Sequence, residues 1–111
     1  DAAFAKGQDV VPLRAAAGSV HVYHQYTVRI RGPIGRDAVL EALKVHKIAA
    51  AVHYPAPVHL QAAARAWGYR AGDFPVAERL SREVLCLPVH PFLSDADVDR
   101  VVESTLAAAH G

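Results

Sequence analysis

The chain has 111 residues, the length of one domain, so no second full domain fits within it. Hydrophobic residues make up 52% and charged residues 21%, a balance that excludes a disordered chain, a collagen-like chain and a disulfide-built miniprotein. The formal net charge is +1, so no strong long-range field favours nucleic acid or an anionic membrane as a partner.

The first 18 residues show little periodic pattern. Gly7, Pro12 and Gly18 interrupt them, and the alanines at 15–17 are compatible with helix or coil. We therefore expect residues 1–18 to be a connecting segment from a preceding large domain, and residues 19–111 to form the domain itself.

The clearest strand pattern covers residues 20–30. Alternation places Val20, Val22, Val28 and Ile30 on one face. His24 and Tyr26 interrupt that apolar face. They are either core residues with satisfied hydrogen bonds or residues with a specific binding task, and the pattern leaves both interpretations open.

A helix between two strands is predicted next. The turn at 32–35 precedes a helix over residues 36–47, in which Val39, Leu40 and Leu43 form an apolar stripe. A short apolar strand follows over residues 48–52. Two strands joined through a helix suggest a crossover unit, although the strand order stays undetermined.

Residues 53–59 read His-Tyr-Pro-Ala-Pro-Val-His and follow the second strand directly. Their two prolines fix φ and predict a stiff extended loop. A short helix is expected over residues 60–67, ended by Gly68.

The pattern in the last third of the chain predicts a helix, then a strand, then a final helix. Pro75 suits the first turn of a helix that runs to about Arg82 or Glu83. Residues 84–89 read as a third short strand, which Pro88 marks as ending or lying at an edge. Ser94 is the expected cap of the final helix, with Asp95, Asp97 and Asp99 near its positive end.

Several kinds of functional site are disfavoured by the motifs. The seven histidines lack metal-ligand spacing, the serines lack a nucleophile elbow, and the glycines form no phosphate loop, so we expect no metal site. Cys86 lies in an apolar run, which predicts a buried, unreactive thiol. No stretch approaches the roughly 20 apolar residues of a membrane span, and no signal-peptide pattern opens the chain. We expect a cytoplasmic protein.

The remaining candidates for a functional site are the pair of His24 and Tyr26 and the loop over residues 53–59. Histidine and tyrosine suit a polar ligand rich in hydroxyls and phosphates, because both hydrogen-bond and stack. Loops at strand ends are where ligands commonly bind.

Five sequence blocks together resemble the DegT/DnrJ/EryC1/StrS family of pyridoxal-phosphate-dependent sugar aminotransferases. They occur in the family's order over roughly residues 20–106, and they are HVYHQY (21–26), RD (36–37), HYPAPVHLQ (53–61), GDFPVAE (72–78) and LCLPVHP (85–91). The resemblance implies an α/β (α+β) fold. The chain would be the small C-terminal domain of the aspartate-aminotransferase fold, with a short sheet of about three strands and flanking helices.

The resemblance also implies an activity and partners. Members commonly move an amino group from glutamate to the keto group of a nucleotide-linked sugar, while some relatives dehydrate the sugar instead. They are usually homodimers, and the cofactor lysine forms a Schiff base with pyridoxal phosphate. That lysine and the other cofactor-binding residues belong to the large N-terminal domain.

None of the lysines here matches a family motif; they are Lys6, Lys44 and Lys47. We therefore expect no catalytic residue, no cofactor-binding residue and no bound pyridoxal phosphate in this chain, which alone would be inactive. Lys47 stands where relatives often have a glycine that ends the helix.

The candidate substrate-binding residues are His53, His59, Tyr54, Tyr26 and His24. His53 and His59 are favoured for the loop that faces the nucleotide sugar, where they would bind and position it. For each of the five, packing at the hinge between domains is the competing interpretation. An alternative for the whole chain is a stand-alone, non-catalytic binding or dimerisation module derived from the family.

Overall fold

A computed structural model of the chain describes residues 1–5 and 7–111, so Lys6 lies outside the described residues. Within these residues, a three-stranded antiparallel sheet packs with α-helices. In chain order the elements are β1 (Val10–Pro12), β2 (Tyr26–Ile30), α1 (Arg36–Val45), two 3-10 helices (Val58–Leu60 and Ala62–Trp67), α2 (Pro75–Glu83), β3 (Val84–Leu87) and α3 (Asp95–His110). The predicted short sheet with flanking helices is confirmed.

The sheet has the order β1-β2-β3, so β2 pairs on both of its edges. Val28 on β2 faces Pro12 on one side and Leu85 on the other. Val28 and Leu85 are fully buried, as are Val39 and Leu43 of α1. The core therefore lies between the sheet and the apolar stripe predicted for α1, and α3 also packs on α1.

The predicted strand over residues 20–30 is wrong in its first half. Val20 and Val22 are 91% and 85% exposed, and His24 is exposed instead of lying on a buried face, whereas Tyr26 is partly buried. The ladder stops because Tyr26 faces Leu87, the last residue of β3, and the following Pro88 has no N–H to donate.

The first 18 residues contain a strand that their pattern does not predict. Val10 of β1 is fully buried, and Phe4 is 3% exposed within the same core. A strand of three residues is too short to show a readable alternation. The segment thus completes the domain's core, and its link to a preceding domain remains a prediction.

The predicted strand over residues 48–52 is reduced to one bridge. Ala51 N–H donates to the Cys86 carbonyl at 3.0 Å, and Cys86 N–H donates to the Ala51 carbonyl at 2.8 Å. This bridge is antiparallel, as is the pairing of β2 with β3. Ala51 and β2 therefore run in the same direction on either side of β3, which is how the chain crosses over through α1.

The structure confirms most of the predicted helix limits. Helix α2 begins at Pro75 and ends at Glu83. Helix α3 starts with the predicted Ser94 cap, which is completed by a reciprocal bond from Ser94 N–H to the Asp97 carboxylate at 3.1 Å. The helix expected over residues 60–67 is instead two 3-10 segments, with Gly68 at the end in a left-handed conformation. None of the helices described is long and apolar enough to cross a membrane.

Helix α1 ends two residues earlier than predicted because Lys47 adopts φ 57°. Lys47 N–H donates to the Lys44 carbonyl, and Ile48 N–H donates to the Leu43 carbonyl, both at 2.9 Å. This is the Schellman arrangement that ends helices, in which the left-handed residue is usually glycine.

Lys47→Gly is expected to raise the free energy of unfolding by about 1 kcal/mol, because a side chain at positive φ costs about that much. Urea denaturation of the two proteins measures the difference. Lys44→Gly is the matched control, since Lys44 lies within α1, and there glycine is expected to lower stability by about 1 kcal/mol. A loss of stability in Lys47→Gly would contradict the prediction.

Candidate functional site

The loop over residues 53–59 borders a cavity of about 550 Å³, which we call the loop cavity. Its wall is largely aromatic and apolar, as in typical ligand sites, and includes His53, Tyr54, His59, Trp67, Tyr69 and Phe74. Tyr54 and Trp67 are 68% and 61% exposed. The cavity is therefore an open groove with aromatic rings available to a ligand.

Local contacts hold the loop in place at its start and near its middle. At its start, the bridge of Ala51 to Cys86 aligns the chain with β3, two residues before His53. Further along, Gln61 Nε2 donates to the Ala56 carbonyl at 3.2 Å. The two prolines between these contacts restrict the backbone, so the predicted stiff loop has a defined course.

His59 and Glu78 form a nearly buried pair behind the loop. The distance from His59 Nε2 to Glu78 Oε1 is 3.0 Å, and the two side chains are 7% and 13% exposed. The same carboxylate oxygen accepts from Gly72 N–H at 2.8 Å and from Phe74 N–H at 3.4 Å. The His59 ring also packs on Phe74, with 4.8 Å between ring centroids.

Hydrogen bonds lower the pKa of Glu78. The bond from Gly72 N–H has the largest effect, burial opposes it, and the bonds from His59 and Phe74 N–H reinforce it. The pKa of Asp97 is lowered as well, chiefly because it accepts from the Ser94 side chain. Both carboxylates are thus held in the charged form.

Stability is expected to fall as pH drops below about 4.5, the ordinary value for glutamate. Because the folded-state pKa values lie below the unfolded ones, this contribution is complete above the unfolded pKa and is lost as pH falls through the folded pKa. Urea denaturation at pH 7, 5, 4 and 3 measures it. The double variant Glu78→Gln with Asp97→Asn should show a shallower loss on acidification; an unchanged slope would contradict the assignment.

Tyr26 lies at a second cavity, of about 420 Å³, which it borders with Asp1, His90 and apolar side chains. Its hydroxyl donates to the Asp1 carboxylate at 2.5 Å. Burial raises the pKa of Tyr26, and the neighbouring Tyr23 adds to the effect. The Tyr26 hydroxyl thus remains protonated at neutral pH, and its proton is donated to Asp1.

The sheet register separates the two groups of predicted site residues. Tyr26 faces Leu87, at the end of β3, whereas Ala51 faces Cys86 and the chain beyond it runs toward Val84, at the start of β3. His53, Tyr54 and His59 are thus brought together at one cavity, and Tyr26 lies at the other. His24 is exposed and borders neither cavity.

Sequence reasoning assigned no role to Glu78 or to the aromatic residues that complete the loop cavity. Glu78 lies in the block over residues 72–78 that carries the family resemblance, and this was its one signal. Phe74 lies in the same block, whereas Trp67 and Tyr69 lie outside the blocks and give no periodic pattern that points to the cavity.

In the described part of the chain, neither cavity has a metal-ligand cluster or a lysine in its wall. Among residues 1–5 and 7–111, no cluster of three or more His, Cys, Asp or Glu side chains could hold a metal ion. Of the lysines in the described part of the chain, Lys44 pairs with Glu41 at 2.6 Å on α1 and Lys47 follows that helix. Neither of these lysines borders either cavity, so the described residues place no lysine amine at a ligand bound there.

Known proteins match this geometry and sequence over nearly the whole chain. The sequence model of the DegT/DnrJ/EryC1/StrS aminotransferase family matches residues 1–106. The chain is 40% identical over 99 residues to a pleiotropic regulatory protein of Geobacillus stearothermophilus, covering 89% of this chain and 26% of that protein. It is 37% identical over 106 residues to the UDP-N-acetyl-3-dehydro-alpha-D-glucosamine 3-aminotransferase of Acidithiobacillus ferrooxidans, covering 95% of this chain and 27% of the enzyme.

Solved structures of known proteins share the fold. S. venezuelae DesV, crystallised with a ketimine intermediate, superposes with a TM-score of 0.89 at 30% identity, over 99% of this chain and 29% of DesV. Spr1654 of Streptococcus pneumoniae, described as a sugar aminotransferase, gives 0.85 at 29% identity, over 99% of this chain and 28% of that protein. The chain spans between a quarter and a third of the length of these relatives. It belongs to the DegT/DnrJ/EryC1/StrS aminotransferase family.

Proposed function

We propose that this chain is the small C-terminal domain of a pyridoxal-phosphate-dependent aminotransferase. The enzyme would transfer an amino group, from glutamate as donor, to a nucleotide-linked keto sugar. The match of the family over residues 1–106 carries the proposal, and relatives named as sugar transaminases support it. In this proposal residues 1–18 connect to a large N-terminal domain, as well as completing the core described above.

The described residues of this chain do not fit the cofactor. Pyridoxal phosphate, when bound, supplies an electron sink for the carbon beside the transferred nitrogen, and it is held by a lysine amine. Lys44 and Lys47 lie away from both cavities. The proposed task of this domain is therefore to bind and orient the sugar substrate, while the cofactor lysine belongs to the large domain.

His53 and Tyr54 are the proposed substrate contacts. Both are exposed and border the loop cavity, so they can hydrogen-bond to hydroxyls or phosphates and stack on a ring. Tyr26 and His24 can contact only a ligand, or a part of a ligand, that reaches the other end of β3. His59 is engaged by Glu78, so we assign it to support the loop.

The assembly and location follow from the same proposal. We propose a homodimer, as the resemblance implies, and a cytoplasmic enzyme. The aromatic rim of the loop cavity would then face the large domain or the partner subunit, because exposed apolar clusters commonly mark interaction sites.

His53→Ala in the intact enzyme is expected to raise KM for the keto sugar about tenfold and to leave kcat within about threefold, because a lost binding contact of this kind is worth roughly 1.4 kcal/mol. Steady-state transamination measures both constants. His46→Ala is the control, since His46 is exposed at the end of α1 and borders neither cavity. Unchanged constants in His53→Ala would remove His53 from the site.

The length of the reading frame and the activity of its product test the alternative of a stand-alone module. A frame that extends several hundred residues upstream, with a product that transaminates a nucleotide sugar, supports the enzyme. A frame that encodes these 111 residues alone, with a product that is inert toward pyridoxal phosphate, supports the non-catalytic module.

A further inference from the structure

We propose that Glu78 is a positioning residue for the substrate loop and acts through His59. This inference rests on the proposed function, since it assigns a purpose to the loop that carries His53 and Tyr54. Glu78 itself does not border the loop cavity, so it would influence substrate binding without touching the substrate.

One carboxylate oxygen joins three separate parts of the chain. Glu78 lies in the first half of α2, which spans Pro75–Glu83. Its Oε1 atom contacts His59, in the 3-10 helix that ends the loop. The same atom accepts from Gly72 and Phe74 in the turn before α2. The loop end, the turn and the helix are therefore tied at a single atom.

The contact of His59 with Glu78 holds the C-terminal end of the loop, whereas the bridge of Ala51 to Cys86 holds its N-terminal end. The bridge of Ala51 to Cys86 fixes the chain just before His53, and the pair of His59 with Glu78 fixes it eight residues after Ala51. His53 and Tyr54 lie between these two attachments. With one attachment removed, the loop would pivot about the other, and the two exposed side chains would lose their fixed placement.

Burial makes this attachment stronger than a surface ion pair. With the His59 and Glu78 side chains only 7% and 13% exposed, water competes weakly for the bond. The contact of Phe74 with the His59 ring closes the other side. The hydrogen bond from the Gln61 side chain to the Ala56 carbonyl is exposed and is expected to hold the loop less firmly.

The residues of the loop and its support have two different roles. The exposed His53 and Tyr54 meet the ligand, and the buried His59 and Glu78 determine where they stand. A residue with a positioning role should alter substrate affinity more than turnover, because the groups that react stay intact.

The test uses Glu78→Gln, Glu78→Ala and His59→Gln in the intact enzyme, with two measurements. Hydrogen exchange followed by mass spectrometry reports the mobility of residues 53–61. Transamination kinetics give KM for the keto sugar and kcat separately. Glu83→Gln is the matched control, because Glu83 also lies on α2 but pairs with Arg29 of β2 at 2.6 Å and does not border the loop cavity.

We expect exchange in residues 53–61 to quicken about tenfold in Glu78→Ala and KM to rise by a similar factor, with kcat within about twofold. Glu78→Gln should show a smaller effect, since its amide oxygen still accepts from Gly72 N–H. The double variant of Glu78→Gln with His59→Gln should cost no more than the larger single change, because both act on one contact. Glu83→Gln should leave the exchange of residues 53–61 and KM unchanged.

Unchanged exchange and unchanged KM in Glu78→Gln and His59→Gln would overturn the proposal, as would equal effects in Glu83→Gln. These two milder variants keep the test valid if Glu78→Ala fails to fold. If the intact wild-type enzyme does not transaminate a keto sugar, the kinetic measurement contradicts the proposed function. The exchange measurement still decides whether Glu78 holds the loop.

Discussion

Replacing Leu85 by alanine is expected to lower the free energy of unfolding by about 3 kcal/mol. Leu85 is fully buried in the middle of β3 and belongs to the core shared with Val28, Val39 and Leu43. Alanine removes three carbon atoms and leaves a cavity that the flanking strand and helix fill only in part. Urea denaturation monitored by circular dichroism measures the change.

Leu13→Ala is the control for this prediction. It makes the same chemical change at a leucine that is 44% exposed, where the expected loss is about 1 kcal/mol or less. Equal losses at the two positions would contradict the placement of the core between β3 and α1.

Arg36→Ala is expected to cost about 2–3 kcal/mol, although arginine is ordinarily a surface residue. Arg36 is 8% exposed, and its guanidinium donates to the Ser81 carbonyl at 3.3 Å and to the Val84 carbonyl at 3.1 Å. Alanine would leave both carbonyls, at the junction of α2 and β3, without this donor. Thermal and urea unfolding measure the loss.

Two variants separate these hydrogen bonds from simple charge pairing. Arg36 also contacts Asp37 at 2.6 Å, but the Asp37 side chain is 86% exposed. Asp37→Ala is therefore expected to cost less than about 1 kcal/mol. Arg36→Lys keeps the charge but loses the planar fork, so an intermediate loss is expected. A larger effect in Asp37→Ala than in Arg36→Ala would refute the assignment.

The helices were largely predictable because their signals are local. Proline at the first position of α2 and the Ser94 cap of α3 act within one turn of the chain. The early end of α1 depends on the left-handed conformation of Lys47. Lysine rarely adopts this conformation, so the residue type did not predict it. The family resemblance, with glycine common at that place, was the signal for it.

The strands were less predictable because a strand exists only with a neighbour. The alternation over residues 20–30 is real, but β3 offers partners only as far as Tyr26. Conversely, Val10–Pro12 has almost no pattern, yet it pairs with β2 and buries Val10 completely. Pairing across the sheet decided both outcomes.

The candidate site likewise has features that the local sequence predicted and features that depend on tertiary contacts. The sequence alone determined the family, the stiff loop with His53 and Tyr54, and the helices on which the site stands, because these depend on residues close together in the chain. Tertiary structure alone decided that His59 turns inward to Glu78, that Arg36 is buried, and that Tyr26 lies at the opposite end of β3 from the loop. The physical reason is that register and burial are set by contacts between residues far apart in the chain, which no local pattern records.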